Sequence, residues 1–246
     1  FKLAQQNVGD AAKYSQTEID AWRAAKSNPK STDNEWGIPN SLAYPNTSWT
    51  DILFKANFSQ KHDLSVSGGS DNSSYLLSLG FMDNPGTLKN TALQRFQIRA
   101  NVETKIGKYI TFGTQTFAIK DRKEPGSTSF TYMFQNIPGQ TPYYDGRFGA
   151  AESLNESAQA NNLLAQVEGS GGLNTTTRIN TTWYAKIKIL DGLTGEARFN
   201  YQDYFYNSDT WTKSIPFWSF RTNTIRLAGT SWEPATVRTK NTGRYK

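Results

Sequence analysis

Residues 95–103, RFQIRANVE, alternate without a break. Phe96, Ile98, Ala100 and Val102 share one side. Arg95, Gln97, Arg99, Asn101 and Glu103 share the other. Side chains along a strand point to alternate faces, so this stretch predicts a strand with one apolar and one charged face. Such a strand fits two settings. In a soluble sandwich the apolar face meets a core. In an outer-membrane barrel it meets lipid, and the charges line a wet lumen.

The same period of two recurs. Leu64 and Val66 alternate with Asp63, Ser65 and Ser67. Tyr75, Leu77, Leu79 and Phe81 alternate with Ser78 and Gly80. Ile179, Thr181, Trp183, Ala185, Ile187 and Ile189 alternate with a polar set, and Ala197, Phe199 and Tyr201 do likewise. Strands are expected at about 60–69, 74–83, 93–104, 109–120, 177–190 and 195–206. The fourth carries aromatics on both faces. Short turns at GGSDNSS, KIGK and DGLT carry the Gly, Asp and Asn of tight connections. Between them lie longer links at 84–92, 121–176 and from 207 onward. Short and long links therefore take turns, as in an up-and-down barrel with short periplasmic turns and long extracellular loops. A Greek-key sandwich has no reason to keep that alternation. The apolar faces are thus expected to meet lipid, and Arg95, Arg99, Lys186, Lys188 and Arg198 to meet a water-filled lumen.

Residues 1–58 lack this period and read as a separate extracellular loop region with short helices. In YSQTEIDAWRAAK, Ser15 and Glu18 have capping-box spacing, with Ile19 and Trp22 on one helical face. In SWTDILFK, Ser48 is placed to cap a second short helix, with Asp51 in its first turn. Between them NPKSTDNEWGIPNSLAYPN, residues 28–46, reads as loop.

Composition narrows the classes. No apolar run approaches the length of a transmembrane helix. Aromatics make up 13% at a mean hydropathy of −0.65, which suits aromatic girdles and suits a sugar-binding sandwich almost as well. The absence of cysteine argues against a disulfide-stapled secreted domain. The net charge of +6 is scattered rather than blocked, which argues against nucleic acid. The chain opens on Phe1-Lys2-Leu3, with no signal-peptide pattern, as if cut from something longer.

Residues 62–113 closely resemble the early barrel of SusC/RagA-type TonB-dependent transporters of Bacteroidetes. The carrying residues are 63–70 (DLSVSGGS), then Phe81, then Gly86 with Lys89 and Asn90, then Arg95, Arg99 and Asn101. LAYPNTSWTDILFK resembles a segment just upstream, with Ser48 where an acid is usual. TPYYDGRFG and WYAKIKILDGLTGEARFNYQ resemble the next long loop and hairpin. The resemblance implies an all-β, antiparallel up-and-down transmembrane barrel of about 22 strands with a plug inside. It implies import of oligosaccharides or peptides across the outer membrane. Its expected partners are a SusD-like surface lipoprotein as lid, the TonB–ExbB–ExbD complex acting through a plug and N-terminal region, and outer-membrane lipid. About six strands cannot close such a barrel, so the chain is expected to be an internal piece of a full transporter. A non-energised porin and a secreted carbohydrate-binding β-sandwich are the alternatives.

No catalytic, metal or cofactor site is expected. His62 is the only histidine, and no Ser–His–Asp set, HExxH, P-loop or zinc spacing is present. Asp71-Asn72 reads as a turn rather than a calcium loop. Glu152 with Glu156, or Asp203 with Asp209, could mimic a glycosidase pair, but nothing in the sequence buries them. Binding is expected of the long loops: Tyr143, Tyr144, Asp145, Arg147 and Phe148 in one, and Trp211, Phe217, Trp218 and Phe220 in the other, facing substrate or lid. Arg95, Arg99 and Asn101 are expected to face the lumen and contact the plug.

Overall fold

A computed structural model describes residues 15–126, 138–152, 162–226 and 237–246. The chain divides into two compact units. One comprises Ala56–Gly126, Gly171–Trp211 and Arg238–Lys246; the other comprises Phe1–Lys55, Ser127–Ser170 and Thr212–Val237.

The first unit is one sheet of seven strands. β1 (Gln60–Ser70), β2 (Ser73–Pro85), β3 (Thr91–Ile106), β4 (Ile110–Pro125), β7 (Ser170–Leu190), β8 (Leu193–Thr212) and β11 (Val237–Tyr245) lie side by side in that order. Every pair from β1 to β7 is antiparallel. This is the all-β, up-and-down arrangement expected of a barrel segment, and the sheet is open, with β1 and β11 at its edges.

Cross-strand registers stack the apolar residues into rows. Leu64, Leu79, Ile98, Ala118 and Ile179 form one row. Val66, Leu77, Ala100, Thr116 and Thr181 form the next, followed by Gly68, Tyr75, Val102, Thr114 and Trp183. Most of these side chains are exposed: Leu64 by 70% and Leu79 by 47%. The glycines fit the rows by close approach. A Cβ at Gly68 would meet the Tyr75 ring at 2.6 Å, so the Tyr75 ring lies across it, and on the other face Tyr184 lies across Gly113 in the same way. Rings laid over glycines of a neighbouring strand restore packing that the missing side chain would give.

The hairpins are staggered. β1 and β2 close at the row of Ser70 and Ser73. β3 and β4 close two residues further along, at Ile106 and Ile110. β7 passes Ile187, the partner of Ile110, and ends at Leu190, where Gly192 turns the chain at φ +88°. The shift is five residues over four strands, from the row of Ser70 to Leu190. At about 3.3 Å per residue and about 4.8 Å between strands, it corresponds to a tilt of about 40°. Closed barrels use that tilt. On β3 the outward residues from Phe96 to Ile106 cover about 33 Å of strand. So inclined, they span about 25 Å, the height of the apolar band of an outer-membrane barrel.

The sheet departs from the sequence reading at one end. A seventh strand, β11, lies within the stretch read as loop from 207. Its sequence, VRTKNTGRY, has no apolar alternation to reveal it. Ions anchor it: Arg238 grips Asp209 through two bonds (2.8 and 2.7 Å), and Arg244 grips Asp203 (3.0 and 2.6 Å). β7 and β8 also run further than expected, through polar and glycine-rich ends. Backbone ladders need no apolar face to continue.

The second unit is built from short pieces. Helix α1 (Gln16–Ser27) has the expected capping box: the Ser15 hydroxyl accepts from the Glu18 N–H, and the Ser15 N–H donates to the Glu18 carboxylate at 2.7 Å. α2 (Asn40–Ala43) lies in a stretch read as loop. At α3 (Trp49–Leu53), Ser48 holds the cap position, but its hydroxyl pairs with that of Thr50 instead of capping a backbone N–H. α4 (Leu163–Glu168) completes the described helices. β5 (Tyr143–Tyr144), β6 (Arg147–Gly149), β9 (Phe217–Ser219) and β10 (Thr224–Arg226) form a second, four-stranded sheet in the order β10-β9-β6-β5. Later segments of this unit hold the stretch from the end of α2 to α3. The Thr47 N–H donates to the Pro138 carbonyl at 2.8 Å, and the Arg221 guanidinium donates to the Ala43 carbonyl at 2.6 Å.

Candidate aromatic platform and polar face

The small sheet joins two loop segments far apart in sequence. Tyr144, Asp145, Gly146 and Arg147 make a two-residue hairpin. Asp145 and Gly146 both have positive φ, +47° and +77°, as a type I′ turn requires. β6 then pairs in parallel with β9, setting Phe148 against Phe217 and Gly149 against Trp218. Alternation sends Phe148 and Phe217 to one face, where Phe217 packs with Ala150, Ala165, Phe148 and Ile215. Tyr144, Arg147, Gly149, Trp218 and Ile225 share the other.

On that second face the Arg147 guanidinium lies 5.0 Å from the Trp218 ring centre and 5.6 Å from that of Phe220. Tyr144 meets Phe220 edge-on at 5.8 Å. Arg147 also donates to the Asn223 side-chain oxygen at 2.9 Å and sits 3.6 Å from the Asp145 carboxylate. Tyr143 packs edge-on against Phe148 at 5.0 Å. Tyr143 and Tyr144 are about half exposed, and the Asp145 side chain is open to solvent. The product is an aromatic surface with a stacked cation and an exposed carboxylate, suited to sugar rings or peptide side chains.

Buried polar groups hold the platform. The fully buried Asn162 donates to the carbonyls of Pro142 (2.6 Å), Gly149 (3.0 Å) and Thr141 (3.3 Å). Its oxygen accepts from the Ala165 N–H, capping α4. Glu152 accepts from the Ser219 hydroxyl at 2.6 Å and from the Phe220 N–H at 2.7 Å. Arg221 stacks 4.3 Å over Trp36. Glu18 is held below the usual carboxylate range, first by the Ser15 backbone N–H, then by its hydroxyl and by the Arg221 charge. No periodic signal marks Asn162, Glu152 or Arg221 in the sequence. Only the Asp-Gly pair advertises the hairpin.

Of the residues expected to bind, Tyr143, Tyr144, Asp145, Arg147, Phe148, Phe217, Trp218 and Phe220 gather in this one sheet. Trp211 does not: it lies near the end of β8 in the other unit, where a Cβ at Gly171 would meet its ring at 2.7 Å. Glu152 is engaged as described, and Glu156 lies outside the described residues. Asp203 and Asp209 each hold an arginine. Among the described residues no cluster of metal-ligating side chains occurs.

The polar face of the large sheet carries Arg95, Gln97, Arg99, Asn101 and Glu103. Arg95 grips Asp121 of the next strand through two bonds, 2.7 and 3.0 Å, so its charge is already matched within the sheet. The side chains of Arg99 and Asn101 have no hydrogen-bond or ion-pair partner among the described residues. Glu103 accepts from the Tyr184 hydroxyl at 2.6 Å and faces Lys186 at 3.9 Å. His62 lies on the opposite, apolar face, stacked on Phe81 at 6.5 Å.

No protein-family model matches the chain. It is similar to TonB-dependent receptor P3 of Formosa agariphila, 35% identical over 83 residues, which cover 34% of this chain and 8% of that protein. It is similar to TonB-dependent receptor SusC of Bacteroides thetaiotaomicron, 36% identical over 69 residues, covering 27% and 7%. The chain thus spans less than a tenth of either relative. Its fold matches structures of the RagAB peptide importer in a closed-closed state (TM-score 0.56, 17% identity) and of the RagAB peptide transporter (TM-score 0.57, 18% identity). Each match covers 69% of this chain and 20% of the other. The chain resembles SusC/RagA-type receptors in sequence and shares their fold.

Proposed function

We propose that this chain is part of a SusC-like, TonB-dependent outer-membrane transporter that imports a nutrient oligomer, an oligosaccharide or a peptide. The observation that carries the reading is the outward apolar band on a tilted antiparallel sheet. In water, a continuous band from Leu64 to Phe199 would far exceed the few hundred Å² of apolar patch that soluble monomers tolerate. In lipid it is the required surface, because the strand ladders satisfy the backbone. The opposite face, with Arg99, Asn101, Glu103 and Lys186, then lines an aqueous interior that holds a plug. The long links carrying the small sheet lie outside the cell. Tyr144, Arg147 and Trp218 contact cargo or a SusD-like lipoprotein lid, while TonB–ExbB–ExbD drives uptake through parts beyond this chain.

Uptake by cells expressing the parent protein tests this reading. A TonB-coupled transporter loses oligomer uptake on deletion of TonB or collapse of the proton gradient. A passive porin keeps uptake under both treatments, and a secreted sandwich leaves the protein outside the membrane fraction. Either of the last two results overturns the proposal.

A further inference from the structure

The outward face is not uniformly apolar near its long-loop side. Bordering the row of Leu64, Leu79, Ile98, Ala118 and Ile179 comes the row His62, Phe81, Phe96, Lys120 and Thr177. One row further, Arg122 follows on β4, in line with Gln94 and Asp83. Lys120 and Arg122 are two residues apart on one strand, so both point outward with the apolar residues. Both are exposed, and their side chains have no ion pair or hydrogen bond among the described residues. Elsewhere in the sheet Arg95, Arg238 and Arg244 each hold a carboxylate, and Arg99, whose side chain has no ion-pair partner among the described residues, lies on the opposite face. The carboxylates of this face lie away from Lys120 or are engaged: Glu124 is four residues toward the loop, Asp83 is two strands from Arg122, and Asp203 and Asp209, on the side of Phe199, hold Arg244 and Arg238.

Beside Lys120 the face is indented. A groove of about 600 Å³ is lined by Leu64, Leu79, Phe96, Ile98, Ala118 and Ile179, with His62 and Lys120 at its border. The small Ala118 sits between Ile98 and Ile179 in the row, which makes room there. An apolar channel ending at two unpaired outward cations matches an acyl chain joined to an anionic headgroup. The level matches as well, because the cations stand where the apolar band ends and headgroups begin.

We propose that this groove binds a phosphorylated lipid of the outer leaflet, with an acyl chain along Leu79, Ile98 and Ala118 and the phosphate on Lys120 and Arg122. The inference rests on the membrane reading above, which decides that this face meets lipid. Lys120 supplies the direct contact and can reach the headgroup while its stem lies on the apolar row. Arg122 adds a fork of donors suited to phosphate oxygens.

The test uses the full parent protein in phosphatidylcholine vesicles containing a phosphorylated glycolipid, with bound lipid counted by native mass spectrometry. The K120Q/R122Q variant is expected to lose occupancy by about thirtyfold, at about 1 kcal/mol for each of two cations facing an anionic headgroup. The dephosphorylated glycolipid should lose as much on the unaltered protein. K108Q, at the short turn on the opposite rim, should change nothing. Equal occupancy with and without phosphate, or in the double variant, overturns the proposal and leaves only a general lipid coat. Displacement of the lipid by inorganic phosphate also overturns it, because the site would then take the free anion. A fluorophore on Leu79→Cys separates the two readings: bromolipid quenches it if the face meets bilayer, whatever the phosphate result, and leaves it bright if the membrane reading itself fails.

Discussion

Replacing Asn162 by alanine should loosen the platform. Its amide donates to three carbonyls at 2.6 to 3.3 Å, and its oxygen caps α4 through the Ala165 N–H at 3.1 Å, all in a fully buried position. Losing the cap costs about 1 kcal/mol. The Gly149 carbonyl keeps a second donor, Gln140, at 3.0 Å, so it is spared. The carbonyls of Thr141 and Pro142 are left to find water at about 1 kcal/mol each. The expected loss is about 3 kcal/mol, or roughly a hundredfold faster exchange of amides that open with this unit. Hydrogen exchange of the parent protein, followed by mass spectrometry over peptides spanning 141–150 and 162–168, reads it. Asn162→Ser retains a capping oxygen and loses the donors, so it should fall between the two. Exchange in Asn162→Ala within threefold of the unaltered protein would refute the reasoning. So would a serine variant as fast as alanine, because the cap would then contribute nothing.

Other consequences follow from the same contacts. Gly113→Val places a branched side chain where the Tyr184 ring lies; it should break the Tyr184–Glu103 bond and lower stability by about 1–3 kcal/mol, seen as a lower temperature of barrel unfolding in a heat-modifiable gel assay. Glu18 has a carboxyl depressed by Ser15 and Arg221. Its stabilisation of α1 is therefore complete above the ordinary glutamate range and lost as pH falls through its depressed folded value; exchange of the helix amides should accelerate there, and Glu18→Gln should abolish the pH step. Arg147→Ala should free the Trp218 ring and shift its fluorescence to the red. If Tyr144, Arg147 and Trp218 contact cargo or lid, it should also weaken that binding about tenfold.

Much of the large sheet could be read from the chain because its strands alternate over long stretches. Tyr75 to Phe81 and Phe96 to Val102 each declare a face, and the tight turns declare where they end. β11 could not be read, since it has no apolar alternation and the side chains that fasten it are ionic, paired with Asp203 and Asp209 of another strand. The partner of Arg95 was hidden for a related reason: Asp121 faces it only through a register that the sequence does not state. The platform was legible as two aromatic loops but not as one sheet. β5, β6, β9 and β10 are two or three residues long, too short to show a period, and the parallel pairing of β6 with β9 joins segments far apart in sequence. Trp211 looked like a loop residue because the glycine beneath its ring lies on a different strand.

The central claim is that the apolar rows face lipid, and three adjacent positions on β2 test it directly. Leu77 and Leu79 lie on the apolar rows, and Ser78 points to the other face. Each is changed in turn to cysteine in the parent protein, labelled, and placed in vesicles with brominated phosphatidylcholine. The account predicts strong quenching at 77 and 79 and little at 78. Quenching at 78 with protection at 77 and 79, or no quenching at any of the three, would contradict it.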